Sequence, residues 1–276
     1  MRTVSAAKDL AEYAGGVFVP TMGALHAGHI SLIEYAAAVA DGRAVVVSIF
    51  VNPTQFAPGE DYESYPRTLE ADLEAARRAG AAVVFTPSVE TMYPDGMPTV
   101  FEPLPRVAHV PRLEDRFRPH FFHGVCTVVK RLFELVQPAE AIFGEKDYQQ
   151  LLVIREMVHL LKMDIKITGR PTVREADGLA LSSRNAYLEA EERENALGLY
   201  RALLAAREVS QPREAEELMG KILAEHGLKT DYAVVRDADT LLPVEAGTDA
   251  PRRGLIAARL GKVRLIDNMA LGTSLT

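Results

Sequence analysis

Two histidines stand three residues apart in the segment Pro20-Thr21-Met22-Gly23-Ala24-Leu25-His26-Ala27-Gly28-His29, which follows a short apolar run, Val17–Val19. Apolar residues with helical spacing continue the chain from Ile30 to Ala37, so both histidines lie at a predicted helix start. Backbone N–H groups and the positive end of the helix dipole favour phosphate at such a position. Gly28 would also let a ligand approach the backbone closely. The segment therefore indicates an anion site.

The same histidine pair has two other interpretations. It can be a polar helix start without a ligand, or part of a zinc site, although no glutamate follows as in H-E-x-x-H and no cysteine lies nearby. The chain has neither a G-x-G-x-x-G fingerprint after its first predicted strand nor a P-loop. A nucleotide would have to be bound by other means.

A second candidate anion site occurs later, in the loop Leu179-Ala180-Leu181-Ser182-Ser183-Arg184-Asn185. Arg184 offers a planar cation with several N–H donors that suit phosphate oxygens, and the two serines add neutral donors. Taken alone, a Ser-Ser-Arg turn is more often a helix cap.

Two further strings carry polar residues that suit small-molecule binding. Val51-Asn52-Pro53-Thr54-Gln55-Phe56 contains two side-chain amides, and Gly144-Glu145-Lys146-Asp147-Tyr148-Gln149-Gln150-Leu151 contains a lysine and another amide at Gln150. Amides both donate and accept hydrogen bonds, which suits a substrate with hydroxyls and a carboxylate. Lys146 is a compact cation suited to phosphate. Turn capping by the amides and a solvent-exposed lysine are the alternatives.

The elements that must position these residues follow an alternating pattern. Short apolar runs, which predict buried strands, are separated by amphipathic helical segments; the runs are Val17–Val19, Ala44–Val51, Ala82–Phe85, Ala141–Phe143 and Ile165–Thr168. This predicts an α/β fold with a Rossmann-like, doubly wound parallel sheet. Ligands of such a sheet bind outside the carboxyl ends of the strands, where Met22, Asn52, Gln55 and Lys146 are predicted to lie.

The pattern changes after Pro171. Two helical stretches, Glu189–Arg207 and Arg213–His226, precede strand-like runs at Tyr232–Val235, Leu255–Leu260 and Val263–Ile266, which is typical of an α+β arrangement. We therefore predict two domains, residues 1–171 and 172–276. The proline-rich segment Met92–Pro119 receives no assignment.

Composition excludes several classes of protein. The 276 residues carry a net charge of -7, 48% are hydrophobic and 25% are charged, which disfavours a disordered chain and a nucleic-acid-coating role. No apolar stretch is long enough to cross a membrane. The single cysteine, Cys126, cannot form an internal disulfide, and no signal sequence is recognisable. We expect a cytoplasmic protein that binds neither nucleic acid nor membrane.

Together, His-Ala-Gly-His after the first strand and the later Ser-Ser-Arg resemble the nucleotidylyltransferase superfamily, which binds ATP between these two elements. The strings at Val51–Phe56 and Gly144–Leu151, with Asp177–Asn185, narrow the resemblance to the pantothenate synthetase (pantoate–β-alanine ligase) family. The match runs from about Pro20 to Tyr187. It implies a homodimer whose smaller C-terminal domain closes over the ATP site. It also implies AMP-forming condensation of (R)-pantoate with β-alanine through pantoyl adenylate, a step in vitamin B5 and coenzyme A biosynthesis.

The resemblance also implies roles for individual residues. It assigns ATP binding to Met22, Gly23, Ala24, Leu25, His26, Ala27, Gly28, His29, Gly144, Glu145, Lys146, Asp147, Val173, Leu181, Ser182, Ser183 and Arg184. It assigns pantoate to Asn52, Gln55 and Gln150, with Gln55 also near β-alanine. The catalytic set is His26, His29, Lys146 and Arg184. Mg²⁺ would enter with ATP, held by phosphate and water without a metal site of protein ligands.

The chain departs from the family pattern at one position. Where the family has Arg-Pro-small-His-Phe-x-Gly-Val, this chain reads Arg118-Pro119-His120-Phe121-Phe122-His123-Gly124-Val125, which puts Phe121 at the histidine position. Either His120 or His123 reaches the site from a shifted backbone, or the family histidine is dispensable, so neither is included in the catalytic set.

Two other functions are compatible with the same motifs. One is a nucleotidyltransferase that acts on a different small acceptor; it is disfavoured because no additional basic cluster is available for an acceptor phosphate. The other is a nucleotide-sensing regulatory module, which only a turnover assay separates from an enzyme.

Overall fold

The computed structural model describes residues 1–60, 62–98, 100–244 and 249–272. The chain divides into two compact units, one formed by Met1–Glu145 with Gln149–Pro171 and the other by Lys146–Tyr148 with Thr172–Thr276. The predicted division after residue 171 falls at one of these junctions, whereas Lys146–Tyr148 group with the later residues. The last four residues of the predicted C-terminal domain, and residues 245–248 within it, lie outside the described residues.

The first unit alternates strands and helices, as predicted. Its elements in chain order are β1 (Arg2–Val4), β2 (Val17–Thr21), α1 (Ala27–Val39), β3 (Val45–Ile49), α2 (Leu69–Arg78), β4 (Val83–Phe85), α3 (Val89–Met92), α4 (Glu114–Phe117), α5 (Phe121–Val136), β5 (Glu140–Gly144), α6 (Tyr148–Leu160) and β6 (Lys166–Arg170). Short 3₁₀ turns occupy Pro53–Gln55 and Arg106–Ala108. In the described part of the unassigned segment Met92–Pro119, which leaves out residue 99, the helical elements are single turns.

The strands of the first unit form one parallel sheet in the order β1-β4-β3-β2-β5-β6. This confirms the predicted doubly wound α/β fold. β1 was not predicted, because Val4 is its only buried residue and three residues give no apolar pattern. β2 extends beyond the predicted run Val17–Val19 and includes Pro20. The β2 ladder to β5 ends at Phe18, so the N–H group that proline lacks is not needed on that side.

The order of the strands defines where a ligand site can form in this unit. β2 lies between β3 and β5, and the chain leaves β2 toward β3 on one side and reaches β5 on the other, which makes β2 and β5 the topological switch point. The carboxyl ends of β2 and β5, at Thr21 and Gly144, lie at the same edge of the sheet. Ligands of doubly wound sheets bind in the crevice at this position.

The second unit is α+β, as predicted. It contains α7 (Ala190–Ala196), α8 (Gly198–Arg207), α9 (Pro212–Glu225), β7 (Lys229–Asp237), β8 (Arg252–Leu260) and β9 (Val263–Leu271), and the strands form an antiparallel sheet in that order. A core of buried aliphatic side chains from these helices and strands holds it together. The single helix predicted over Glu189–Arg207 is two helices, because the Leu197 N–H bonds to the Glu194 carbonyl three residues earlier and interrupts the α-helical pattern.

Across the described residues, we find no helix with the length and apolar character needed to span a bilayer.

Candidate active site

The histidine pair lies at the start of α1, as predicted. His26 is the N-cap residue, and its Nδ1 accepts a hydrogen bond from the Gly28 N–H at 3.1 Å. His29 Nδ1 accepts a longer one, at 3.4 Å, from the His26 N–H, and the two rings lie with their centroids 4.1 Å apart and their planes inclined by 35°. Because both Nδ1 atoms are acceptors, the proton of each neutral imidazole is on Nε2. The pair therefore provides two Nε2–H donors beside the N-terminus of a helix.

The loop that leads to the histidines is held by a residue that we did not predict. Asp72, on α2 and only 3% exposed, accepts hydrogen bonds from the backbone N–H groups of Ala24 at 2.9 Å and Leu25 at 2.8 Å. The Thr68 hydroxyl donates to the same carboxylate at 3.1 Å. A Cβ atom on Gly23, which has φ of +81°, would lie only 3.0 Å from the Asp72 carboxylate. Asp72 therefore fixes the path of the loop between β2 and α1.

The two amides of Val51–Phe56 that were predicted to bind substrate differ in burial and in their contacts. Asn52 is fully buried, and its Nδ2 donates to Gln55 Oε1 at 3.1 Å and to the Gly124 carbonyl at 3.2 Å. Its Oδ1 accepts from the Tyr93 hydroxyl at 2.8 Å and from Thr54. Because Gln55 Oε1 faces Asn52, the Gln55 amide is oriented with its NH₂ group as the remaining donor. Asn52 thus acts through the half-buried Gln55.

The start of α5 supports this amide pair. A Cβ atom on Gly124 would lie 2.1 Å from the Thr54 carbonyl oxygen, so the loop packs directly on the helix backbone. Arg118 donates to the Gln55 carbonyl at 3.2 Å and forms a two-pronged ion pair with Glu60. The Arg118 guanidinium also lies 4.0 Å from the ring centre of Phe121, the residue at the family's histidine position. His120 is exposed at the helix start.

His123 and Gln149 are structural. His123 Nδ1 accepts a hydrogen bond from the Phe101 N–H at 3.1 Å. The buried Gln149 accepts from the Glu114 N–H at 3.0 Å and donates to the Val107 carbonyl and to Asp115, both at 2.9 Å. Its neighbour Gln150, predicted to bind pantoate, is half-buried on α6.

In the second unit, the Ser-Ser-Arg segment follows a tight hairpin. The Leu181 N–H bonds to the Val173 carbonyl at 3.0 Å, and the turn contains Gly178 with φ of +100°, packed against the ring of Tyr200. Ser182 then caps a 3₁₀ turn, Ser183–Tyr187, by accepting from the Arg184 N–H at 3.3 Å. Ser182 therefore caps a helical turn within the same segment, Ser182–Arg184, that is predicted to donate hydrogen bonds to phosphate.

Lys146 belongs to this second unit and lies in the 3₁₀ turn Glu145–Asp147 that follows β5. Its side chain is 21% exposed, and Nζ lies 3.9 Å from the Asp147 carboxylate, too far for a hydrogen bond. No cluster of three or more His, Cys, Asp or Glu side chains that could hold a metal ion occurs among residues 1–60, 62–98, 100–244 and 249–272.

Comparison with known proteins places the chain in a family. The family model "Pantoate-beta-alanine ligase" matches residues 1–270. The chain therefore belongs to the pantoate-β-alanine ligase family. Within it, pantothenate synthetase from Rhodopseudomonas palustris (strain ATCC BAA-98 / CGA009) is 49% identical over 261 residues, covering 92% of this chain and 89% of that protein.

Solved structures of family members agree with the fold. The crystal structure of pantothenate synthetase from Thermus thermophilus matches with a TM-score of 0.92 and 47% identity, covering 99% of this chain and 100% of that one. Pantoate-beta-alanine ligase from Francisella tularensis, complexed with beta-gamma ATP and beta-alanine, matches with a TM-score of 0.79 and 36% identity, covering 98% of this chain and 97% of that one. The resemblance seen in the motifs is thus confirmed at the level of the family.

The structure brings together predicted residues within each unit. In the first, the segment Met22–His29 follows β2, Gly144 ends β5 at the same switch point, and Asn52 contacts Gln55. In the second, Leu181 bonds to Val173. Asp72 and Arg118 were missed. Asp72 is indistinguishable in the sequence from other acidic residues near a helix start, whereas Arg118 begins the string Arg118–Val125 that matches a family pattern, which was the available signal. Their hydrogen-bond partners are distant in the sequence.

Proposed function

We propose that this member of the pantoate-β-alanine ligase family joins pantoate to β-alanine and cleaves ATP to AMP and pyrophosphate. The observation that supports the proposal most is the histidine pair at the start of α1, because this helix follows β2 at the switch point of the sheet and its N-terminus favours an anionic ligand. Relatives named pantothenate synthetase support the choice of substrates.

In the first step, a carboxylate oxygen of pantoate attacks the α-phosphorus of ATP, and pyrophosphate leaves. Negative charge increases on the phosphate oxygens as this bond forms. His26 and His29 would donate to these oxygens through Nε2–H, while Lys146 and Arg184 would neutralise the charge of the phosphate chain. Mg²⁺ would enter as part of the ATP substrate, coordinated by phosphate oxygens and water.

Pantoate would be bound by Gln55 and Gln150, with Asn52 orienting the Gln55 amide so that its NH₂ group faces the acid. In the second step, the neutral amine of β-alanine attacks the acyl carbon of pantoyl adenylate, and AMP leaves with the bridging oxygen. Gln55 would also lie near β-alanine. The protein contributes position and charge neutralisation rather than a nucleophile of its own.

The remaining ATP contacts are proposed from the family resemblance. They are the backbone and side chains of Met22–His29, Gly144–Asp147, Val173 and Leu181–Arg184. Location in the cytoplasm and assembly as a homodimer complete the proposal.

The test is product identification in a mixture of the protein, Mg-ATP, pantoate and β-alanine. We expect AMP, pyrophosphate and pantothenate in equal amounts, and pantoate with heavy oxygen in its carboxylate should give AMP with one labelled oxygen per turnover. ADP as the product, or unlabelled AMP, would exclude the acyl-adenylate route. AMP transferred to an acceptor and retained there would indicate nucleotidyl transfer, and binding of ATP without turnover would indicate a sensing module.

A mutation then tests the histidine assignment. His29→Ala should lower pantoate-dependent pyrophosphate–ATP exchange by about 100-fold, the usual effect of removing a donor to a developing oxyanion. The fold should be retained, because the half-buried ring contributes little to the core. A folded variant that exchanges at the wild-type rate would show that His29 only caps the helix.

A further inference from the structure

Two adjacent residues of β9, Asp267 and Asn268, are almost fully buried although both are polar, with exposed fractions of 3% and 4%. Their side chains lie in the second unit, far along the chain from the motifs assigned to ATP. Buried polar groups are hydrogen-bonded in native proteins, so their partners show what these residues hold in place.

Asn268 bonds to the backbone of the phosphate-binding lysine. Its Nδ2 donates to the carbonyl oxygen of Lys146 at 2.8 Å, across 122 positions of the sequence. Its Oδ1 accepts from Arg253 Nε at 2.7 Å, and the Arg253 guanidinium lies 3.5 Å from the ring centre of Tyr148. The Tyr148 hydroxyl in turn donates to the Ala238 carbonyl at 3.0 Å. The segment Lys146–Tyr148 is thus hydrogen-bonded at both of its ends to later residues of the second unit.

Asp267 is linked through Arg174 to the Ser-Ser-Arg segment, the other segment proposed to bind phosphate. Arg174 binds its carboxylate through two N–H groups, at 2.7 and 2.9 Å, and also donates to the Asn268 carbonyl at 3.2 Å. The same guanidinium donates to the carbonyl of Gly178 at 3.0 Å, in the turn that leads to Ser182–Arg184. The Asn268 N–H bonds to Asp267 at 2.7 Å, which joins the two halves of the network.

We propose that Asp267 and Asn268 are positioning residues that hold the Lys146 backbone and the hairpin before the Ser-Ser-Arg segment in a fixed arrangement within the second unit. The inference rests on the proposed function of Lys146 and Arg184 as ATP-binding residues. An asparagine is required because Oδ1 must accept from Arg253 while Nδ2 donates to Lys146, and a side-chain amide does both. Without the hydrogen bond from Asn268, the turn that contains Lys146 is no longer bonded to β9. The Lys146 ammonium group then no longer binds the phosphates in the required geometry.

The first measurement is the affinity for Mg-ATP, by calorimetry, for wild type, Asn268→Ala, Lys146→Ala and the double variant. We expect Asn268→Ala and Lys146→Ala each to raise the Kd for Mg-ATP by about 10-fold. The Kd of the double variant should be no more than about 3-fold above that of the single variant that binds Mg-ATP less tightly. Such non-additivity is expected when one residue acts through the other. If the two effects multiply, or if folded Asn268→Ala binds Mg-ATP as wild type does, the proposal is wrong.

A matched control separates positioning from general stability. Glu216 accepts from the Val235 N–H and from Arg236, both at 2.8 Å, within the same unit. Glu216→Ala should lower the melting temperature but leave Mg-ATP affinity at the wild-type value. A loss of affinity equal to that of Asn268→Ala would assign both effects to a loosened unit and overturn the proposal.

Asn268→Gln is the second variant in case Asn268→Ala does not fold. It retains an amide but is one methylene longer, so it cannot meet Lys146 and Arg253 at their present separation. We expect weaker Mg-ATP binding that again depends on Lys146, and wild-type affinity would refute the inference. Because nucleotide binding is measured without turnover, these results do not depend on whether the wild-type protein forms pantothenate.

Discussion

Asp72→Asn isolates the contribution of a single carboxylate to the loop that carries the histidine pair. In the wild type, one oxygen accepts from the Ala24 N–H and the other from the Leu25 N–H. Asparagine retains one acceptor oxygen but turns an NH₂ group toward the other backbone N–H. A hydrogen bond to a charged group contributes about 1.5–3 kcal/mol, so we expect a loss of roughly 2–3 kcal/mol in the free energy of unfolding.

The same change should reduce catalysis, because the loop leads directly into His26 and His29. A displacement of about 1 Å at a reacting group can cost about 100-fold in rate, so we expect pyrophosphate–ATP exchange to fall by 10- to 100-fold. Denaturant unfolding and the exchange assay measure the two effects.

Glu156→Gln is the matched control for this prediction. Glu156 likewise accepts from two consecutive backbone N–H groups, those of Arg106 at 2.9 Å and Val107 at 3.0 Å, in a loop that carries no predicted site residue. It should lose stability of a similar size and keep its exchange activity. If Asp72→Asn also keeps wild-type exchange while it loses stability, Asp72 does not position the histidines.

The remaining predictions concern α5 and its surroundings. Gly124→Ala should destabilise the protein and weaken pantoate binding, because the new Cβ would lie 2.1 Å from the Thr54 carbonyl oxygen. Gly220→Ala in α9 has no neighbour within 4 Å of the new Cβ and should instead stabilise the protein by about 0.5–1 kcal/mol. Equal effects of the two changes on thermal unfolding would contradict this prediction. Burial raises the pKa of the Cys126 thiol to about 12 from an ordinary 9.0, so native protein should resist alkylation at pH 8. The unfolded thiol ionises first as the pH rises, so the stability that Cys126 contributes is complete below about pH 9 and is lost toward pH 12. Rapid alkylation of the native protein would contradict the burial of Cys126 in α5.

The parts of the fold that could be predicted are those encoded by local patterns. The strands β2 to β5 contain runs of apolar residues, and the motif residues follow strand ends because a parallel sheet places its ligands there. The residues that hold the motifs could not be predicted. In the sequence, Asp72 is an acidic residue near a helix start and Asn268 is a polar residue in a strand, and their partners lie 48 and 122 positions away.

The departure at Phe121 shows how the structure can replace a residue that the family pattern leads one to expect. Phe121 lies under the Arg118 guanidinium, and the same guanidinium binds Glu60 through two N–H groups and the carbonyl of Gln55. A planar ring beneath a guanidinium favours one orientation of the arginine and adds an attraction of about 0.5–2 kcal/mol. Position 121 in this chain therefore acts on Arg118, and through it on the backbone of Gln55, without needing a titratable ring. Of the two neighbouring histidines, His123 accepts a hydrogen bond from the Phe101 N–H and His120 is exposed at the start of α5, so the hydrogen bonds of the described residues link neither of them to Arg118.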